Sequence, residues 1–256
     1  MLRSRIIPCL LMHDGGLVKT RQFKDPKYVG DPLNAVKIFN EKAVDELMFI
    51  DIDATAQRRG PSLPLLRSLA VESRMPLCYG GGVDNAELAS QIIALGFEKV
   101  SISSAALQRP ALIGEMARAV GSQSVVVTLD VRKNRLLPGH TIYTHNGAEK
   151  HRVDLLDFCR QAESLGAGEI VINSIDRDGE MSGYDIELAK SVRAAVSLPL
   201  TVLGGAGSVA HMQDLIDAVG LVGAAAGSLF VFKGTFRAVL INYARPATVR
   251  CAGSKT

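Results

Sequence analysis

The chain has 256 residues, of which 47% are hydrophobic, 21% charged and 5% aromatic, with a net charge of +3. That length and apolar content allow a large core and match the usual size of an eight-unit barrel, whereas a small, evenly spread charge without interleaved aromatics argues against a nucleic-acid partner. No apolar run reaches membrane-spanning length and no cleavable leader precedes the first strand pattern, so a cytoplasmic location, no membrane and a small-molecule ligand are expected.

In chain order, short apolar runs predict strands at Ile6 to Leu10, Leu47 to Asp51, Leu77 to Tyr79, Val100 to Ile102, Val125 to Asp130, Ile170 to Asn173, Leu200 to Val202 and Gly223 to Ala226. Amphipathic patterns between them predict helices at Pro32 to Lys42, Pro64 to Arg74, Ala86 to Leu95, Ala111 to Val120, Leu155 to Leu165, Ile186 to Ala195, Ala210 to Ala218 and Thr235 to Asn242. The alternation argues for a parallel sheet, and eight units close most naturally as a (β/α)8 TIM barrel; an open doubly wound sheet is the alternative. No composition break divides the chain, so one domain is expected, with a tail at 246–256 that loses its period.

Two connections exceed the usual few residues. His13 to Asp31 carries Lys19, Arg21, Lys24 and Lys27, and reads either as a lid closing on an anionic ligand or as a solvated surface loop. Arg132 to Lys150 combines a Pro138-Gly139 turn with the alternating Thr141-Ile142-Tyr143-Thr144, and reads as an added hairpin. Cys9, Cys78, Cys159 and Cys251 are far apart without metal-pair spacing, so reduced thiols, no metal and no cofactor are expected.

The chain repeats itself. Pro76-Leu77-Cys78-Tyr79-Gly80-Gly81-Gly82 is echoed by Pro199-Leu200-Thr201-Val202-Leu203-Gly204-Gly205-Ala206-Gly207, and Glu46 with Glu169, Pro76 with Pro199 and Gly81 with Gly204 share one interval close to half the chain. Two similar halves, about 1–122 and 123–245, follow. Each glycine turn lies between a strand and a helix, where freed backbone N–H groups suit a phosphate; close helix packing is the other reading of a single such turn, and the duplication favours a ligand with two phosphates.

Active groups in such a barrel sit at the C-terminal strand ends. There the sequence places Asp51, Ser103 and Ser104, Asp130, Asn173 and Ser174, Asp176 and Asp178, Gly204 to Gly207, and Gly227-Ser228, which suits acid–base work on a phosphorylated ligand. Asp176 serves equally as a turn residue bonding the backbone. At the opposite mouth, Arg5, Glu46, Lys99 and Glu169 precede their strands with alternating signs, as a plug of ion pairs or as simple bracing of the floor.

Arg5-Ile6-Ile7-Pro8-Cys9-Leu10, Gly80-Gly81-Gly82, Tyr143-Thr144-His145-Asn146-Gly147, Gly166-Ala167-Gly168-Glu169-Ile170, Ser174-Ile175-Asp176-Arg177-Asp178-Gly179 and Gly204-Gly205-Ala206-Gly207 together resemble the cyclase subunit of imidazole glycerol phosphate synthase. The resemblance spans nearly the whole chain. It implies a TIM barrel with half-barrel symmetry and a substrate with two phosphates, held by Gly81, Gly82, Ser103 and Ser104 in one half and Gly179, Gly204, Gly205, Gly207 and Ser228 in the other. It also implies a heterodimer with a glutaminase on the N-terminal face, delivering ammonia across a gate of Arg5, Glu46, Lys99 and Glu169. Asp130, Asp51, Asp178 and Lys19 form the catalytic candidates. The family uses an aspartate at the end of the first strand as well as the fifth, whereas this chain has Leu11 there, opposite Asp130 in the repeat. A branch sharing the paired leucines Leu10-Leu11, Tyr79-Gly80-Gly81-Gly82 and Gly227-Ser228-Leu229-Phe230-Val231-Phe232-Lys233-Gly234 is similar to this chain. Membership there implies acetamidino modification of a surface-polysaccharide sugar, with a separate amidotransferase-like enzyme as a further partner.

Overall fold

The computed structural model describes residues 3–134, 138–234 and 236–246. Its centre is eight strands: β1 (Arg5–His13), β2 (Leu47–Asp51), β3 (Leu77–Gly80), β4 (Lys99–Ile102), β5 (Val125–Lys133), β6 (Glu169–Ser174), β7 (Leu200–Leu203) and β8 (Gly223–Ala226). They pair in parallel in the order β6-β7-β8-β1-β2-β3-β4-β5, and β5 pairs back onto β6. The sheet therefore closes as a (β/α)8 barrel, and closure leaves none of these eight strands as an edge. The open doubly wound alternative is excluded.

Helices α1 (Pro32–Lys42), α2 (Leu63–Glu72), α3 (Ala86–Ala94), α4 (Ala111–Val120), α5 (Leu155–Ser164), α6 (Ile186–Ala195) and α7 (Val209–Val219) ring the barrel. Their ends are set locally. In α1 the Asp31 side chain accepts the Asn34 N–H, Pro32 occupies the first turn, and left-handed Ala43 stops the helix.

The strand pleat separates two apolar layers. Ile6 and Leu10 of β1 point outward to pack with Phe39, Phe49, Leu69 and Ile92 under the helices, whereas Ile7 and Cys9 point to the axis and meet Met48, Cys78, Val126, Val171 and Ala225. Burying each large aliphatic side chain contributes about 1.5–3 kcal/mol, so the larger outer layer supplies most of the apolar stabilisation and the smaller axial layer adds less. Cys9, Cys78 and Cys159 are buried free thiols. Burial pushes Cys9 and Cys159 up to about 12, which leaves them inert as nucleophiles. Cys251 and the end of the tail lie outside the described residues.

The structure departs from expectation in two places. The connection His13 to Asp31 is an antiparallel hairpin, Gly16–Arg21 against Lys24–Gly30, with Gly16–Arg21 pairing onto an extended β1. The predicted last helix, Thr235 to Asn242, is replaced by a short helix (Ser228–Val231) and a small hairpin of Phe232–Lys233 with Ala238–Val239; Thr235 itself is not among the described residues. Its apolar residues do not share a buried stripe, since Phe236 is 97% exposed. The backbone instead bonds outward, Leu240 N–H to the Val231 carbonyl and Asn242 N–H to the Phe230 carbonyl. The second added hairpin, His140–Thr144 with Glu149–Lys150, is present as expected after β5. No described helix is long and apolar enough to cross a membrane.

Candidate active site

The C-terminal strand ends surround a cavity of about 790 Å³ lined by Asp51, Gly81, Gly82, Ser103, Ser104 and Asp130 among others. Gly81 sits at φ +121°, and a Cβ there would lie 2.4 Å from the Asp51 carbonyl oxygen, so only glycine lets the turn approach β2 this closely. Ser103 Oγ is buried without a hydrogen-bond partner among the described residues, a donor left for whatever enters. Asp51 accepts the N–H groups of Asp53 and Ala54 and is ion-paired with Arg59. It shapes the loop and offers no free carboxylate.

In the second half, Lys19, Asp178, Gly179, Gly204, Gly205 and Ser228 line a separate cavity of only about 30 Å³. Gly205, at φ +106°, would place a Cβ 2.1 Å from the Gly183 carbonyl oxygen. Ser228 Oγ is the counterpart of Ser103, buried and unpartnered. Buried Lys19 is ion-paired with buried Asp178, whose other oxygen accepts from Thr20 Oγ1 at 2.6 Å. Asp176 is a turn residue, accepting the Lys133 N–H at 2.8 Å. Gly207 lines neither cavity, and its N–H is already donated to His211 Nδ1 at 3.2 Å.

Leu11, Phe23, Asn173 and Leu203 line both cavities and divide them. Asp130 pairs in register with Asn173, which donates Nδ2–H to it at 2.8 Å, and Leu11 pairs in register with Ile50 at the equivalent place in the first half. One side of the mouth is thus polar and the other apolar. Burial pushes the Asp130 carboxyl up to about 7, with the Asn173 hydrogen bond opposing and Asp178 adding to the rise. Such a group exchanges a proton near neutrality.

Sequence reading missed a third cluster on the cavity wall, His13 with Asp53 and Arg59. His13 Nδ1 lies 2.7 Å from Asp53 Oδ1. The legible signal was a carboxylate two residues past Asp51 and a histidine closing β1; their meeting across the sheet was not legible.

At the N-terminal mouth the four predicted charges close a ring. Arg5 bonds Glu46 and, at 2.7 Å, Glu169; Lys99 bonds Glu46 at 2.7 Å and Glu169 at 2.9 Å. Thr201 Oγ1 also donates to Glu169. Burial alone would pull Lys99 down, but Glu169 and Glu46 together hold it above its ordinary value; burial would raise Glu169, but Arg5 and Lys99 hold it low. Arg5, Lys99 and Glu169 are thereby held in their charged forms, and the two cations face two carboxylates.

A closed parallel barrel with glycine turns, orphan hydroxyls and one near-neutral carboxyl at its C-terminal mouth defines a protein of the (β/α)8 class. The chain belongs to the family described as histidine biosynthesis protein, whose model matches residues 5–237. A Vibrio vulnificus (strain YJ016) protein provisionally named imidazole glycerol phosphate synthase subunit hisF3 is 54% identical over 247 residues, 96% of this chain and 95% of its own. The similarly provisional subunit hisF2 of Pseudomonas aeruginosa is 49% identical over 243 residues, 95% of this chain and 96% of its own. Imidazole glycerol phosphate synthase subunit HisF of Lysinibacillus sphaericus (strain C3-41) is 37% identical over 246 residues, 96% and 97% of the two chains.

Proposed function

We propose that this barrel is a cytoplasmic cyclase-subunit paralogue that takes ammonia from a glutaminase docked on its N-terminal face and binds a phosphorylated small molecule at its C-terminal mouth. It supports acetamidino modification of a surface-polysaccharide sugar, with a separate amidotransferase-like enzyme downstream and no cofactor. The observation that carries this reading is Leu11, an alkyl side chain at the place opposite Asp130. Leucine transfers no proton, and losing one such group costs on the order of 100-fold or more in rate. The ring of Arg5, Glu46, Lys99 and Glu169, followed by the buried apolar axis from Ile7 to Val171, suits passage of neutral ammonia and rejection of ammonium. Phosphate is assigned to Gly81, Gly82, Ser103 and Ser104 in the first half and to Gly179, Gly204, Gly205 and Ser228 in the second.

The test is an assay of the purified barrel with the substrate of the histidine-pathway cyclase and ammonium salt. Little or no cyclisation is expected, and Leu11→Asp should raise it. Turnover at an ordinary enzymatic rate, about 1 s⁻¹ or more, would overturn the paralogue reading in favour of an authentic cyclase lyase, a second reading supported by the retained Asp130 and its carboxyl near 7. For the gate, Lys99→Ala should raise the ratio of glutamate released to amidated or cyclised product while the glutaminase still docks. An unchanged ratio in a protein that melts normally reduces the ring to bracing. Activation of the glutaminase that survives blocking of the mouth would mark a noncatalytic scaffold.

A further inference from the structure

His13 closes β1, its backbone paired with Gly16, and its Nδ1 lies 2.7 Å from one Asp53 oxygen. The other Asp53 oxygen accepts the Asp14 N–H at 2.8 Å, so the carboxylate is anchored as well as buried. The imidazole is 35% exposed where it lines the 790 Å³ cavity shared with Asp130. A buried carboxylate on Nδ1 holds the tautomer with Nδ1–H and leaves Nε2 for solvent or ligand. Asp14 Oδ2 lies 3.5 Å from Nε2, and Arg59, paired with Asp51, stands 4.0 Å from Asp53. His13, Asp14 and Asp53 are close enough to hold a cation, yet both Asp53 oxygens are already used and Arg59 adds positive charge. The arrangement fits proton transfer.

We propose that His13, oriented by Asp53, is the acid–base group that stands in for the carboxylate absent at Leu11, working with Asp130 on a phosphorylated carbonyl ligand that accepts ammonia. The proposal rests on the second reading above, in which the barrel itself uses ammonia, and on the cavity as the ligand site. As ammonia nitrogen bonds the carbonyl carbon, the C=O π pair moves to oxygen. The His13 imidazolium gives its Nε2 proton to that oxygen, and the Asp130 carboxylate takes one proton from nitrogen. Ammonia and carbonyl become a carbinolamine, and water returns the proton from Asp130 to His13. Asp53 is a positioning residue, and its hydrogen bond also favours the imidazolium.

The experiment follows residual cyclisation with ammonium salt across pH. His13→Gln should lower kcat about tenfold or more with KM little changed, and the loss should shrink several-fold in a Leu11→Asp background, where a carboxylate is restored. Because the protonated ring is the donor, the rate falls as pH rises through its pKa. Asp53→Asn should therefore move that alkaline limb to lower pH. An unchanged kcat in His13→Gln, with normal melting, overturns the proposal. Where the parent turns over too slowly to follow, the His13 ring resonances are titrated with ribose 5-phosphate as probe: a change in the Nε2 signal and its pKa on saturation supports the role. Binding that leaves the ring unmoved overturns it alone, and no binding overturns it together with the ligand-site reading.

Discussion

The hairpins after β1 and after β5 grow from equivalent strands, and each reaches over the loop that follows the second strand of the opposite half. The first is clamped there. Lys19, Thr20 and the Phe23 N–H all bond the Asp178 carboxylate, the Gln22 N–H bonds the Asp178 carbonyl, and Arg21 forms a two-point pair with Glu180. The second hairpin sends Asn146 Nδ2 to the Ile52 carbonyl at 2.9 Å. The consequence is visible in the space beneath, about 30 Å³ under the first hairpin and about 790 Å³ beside the second. Equivalent backbones thus present one closed and one open glycine-turn cavity. On the phosphate assignment proposed above, a ligand with two phosphates enters the open half first and loosens the Lys19–Asp178 pair to seat its second phosphate.

The clamp itself gives the largest expected effect. Asp178→Ala leaves the Lys19 ammonium buried and unpaired, and should cost about 3–5 kcal/mol in urea unfolding. A loss no greater than that of an exposed pair would show the first hairpin to be as loosely held as the second.

The polar and apolar sides of the mouth can be separated by pH. The Asp130 carboxyl is near 7 in the fold and about 3.9 unfolded, so the folded state holds the extra proton between those values. Its contribution to stability therefore falls as pH rises through that window. Asp130→Asn keeps an acceptor for Asn173 and should stabilise the protein on the order of 2 kcal/mol at pH 8 but not at pH 4. Equal melting shifts at both pH values would mean that Asp130 is not proton-poised.

Affinity for inorganic phosphate sharpens the open and closed sites. Ser103→Ala should weaken binding about five- to tenfold by calorimetry, the worth of one hydrogen bond, while Ser228→Ala should change it less than about twofold until the clamp is released. The reverse order would place the open site in the second half. The smallest effect belongs to the second hairpin: Asn146 sits at φ +57°, so Asn146→Gly keeps the turn and removes one exposed hydrogen bond, for about 0.5–1 kcal/mol.

What the sequence made legible followed from periodicity. Strands such as Leu47–Asp51 and helices such as Ala111–Val120 carry unambiguous apolar patterns, and the four floor charges were readable because each precedes such a run. The misses share a different cause. His13 and Asp53 are separated by forty positions and meet only because β1 and β2 pair, the His211 ring that accepts the Gly207 N–H comes from the following helix, and the last predicted helix does not form because Phe236, Val239 and Leu240 find no surface to pack against. Local pattern reports which face is apolar. It does not report which distant partner has already taken a donor.

Among the described residues no eighth long helix follows β8; a short helix, a small hairpin and extended chain stand in its place. Tyr243 stacks near Phe230 with ring centroids 5.4 Å apart, and its hydroxyl donates to the Ile6 carbonyl on β1. The barrel's final joint therefore uses residues from its first strand, its last strand and the segment after it, with Arg5 beside Gly223 and the Ile6 carbonyl bonded by Tyr243. Loop closure grows only logarithmically with length, about 0.6 kcal/mol per doubling, so the joint is thermodynamically inexpensive. During synthesis it is also necessarily last. β1 is made before the other seven strands and must wait, with one flank open, until β8 has left the ribosome, which leaves that flank exposed to mispairing and to chaperone capture.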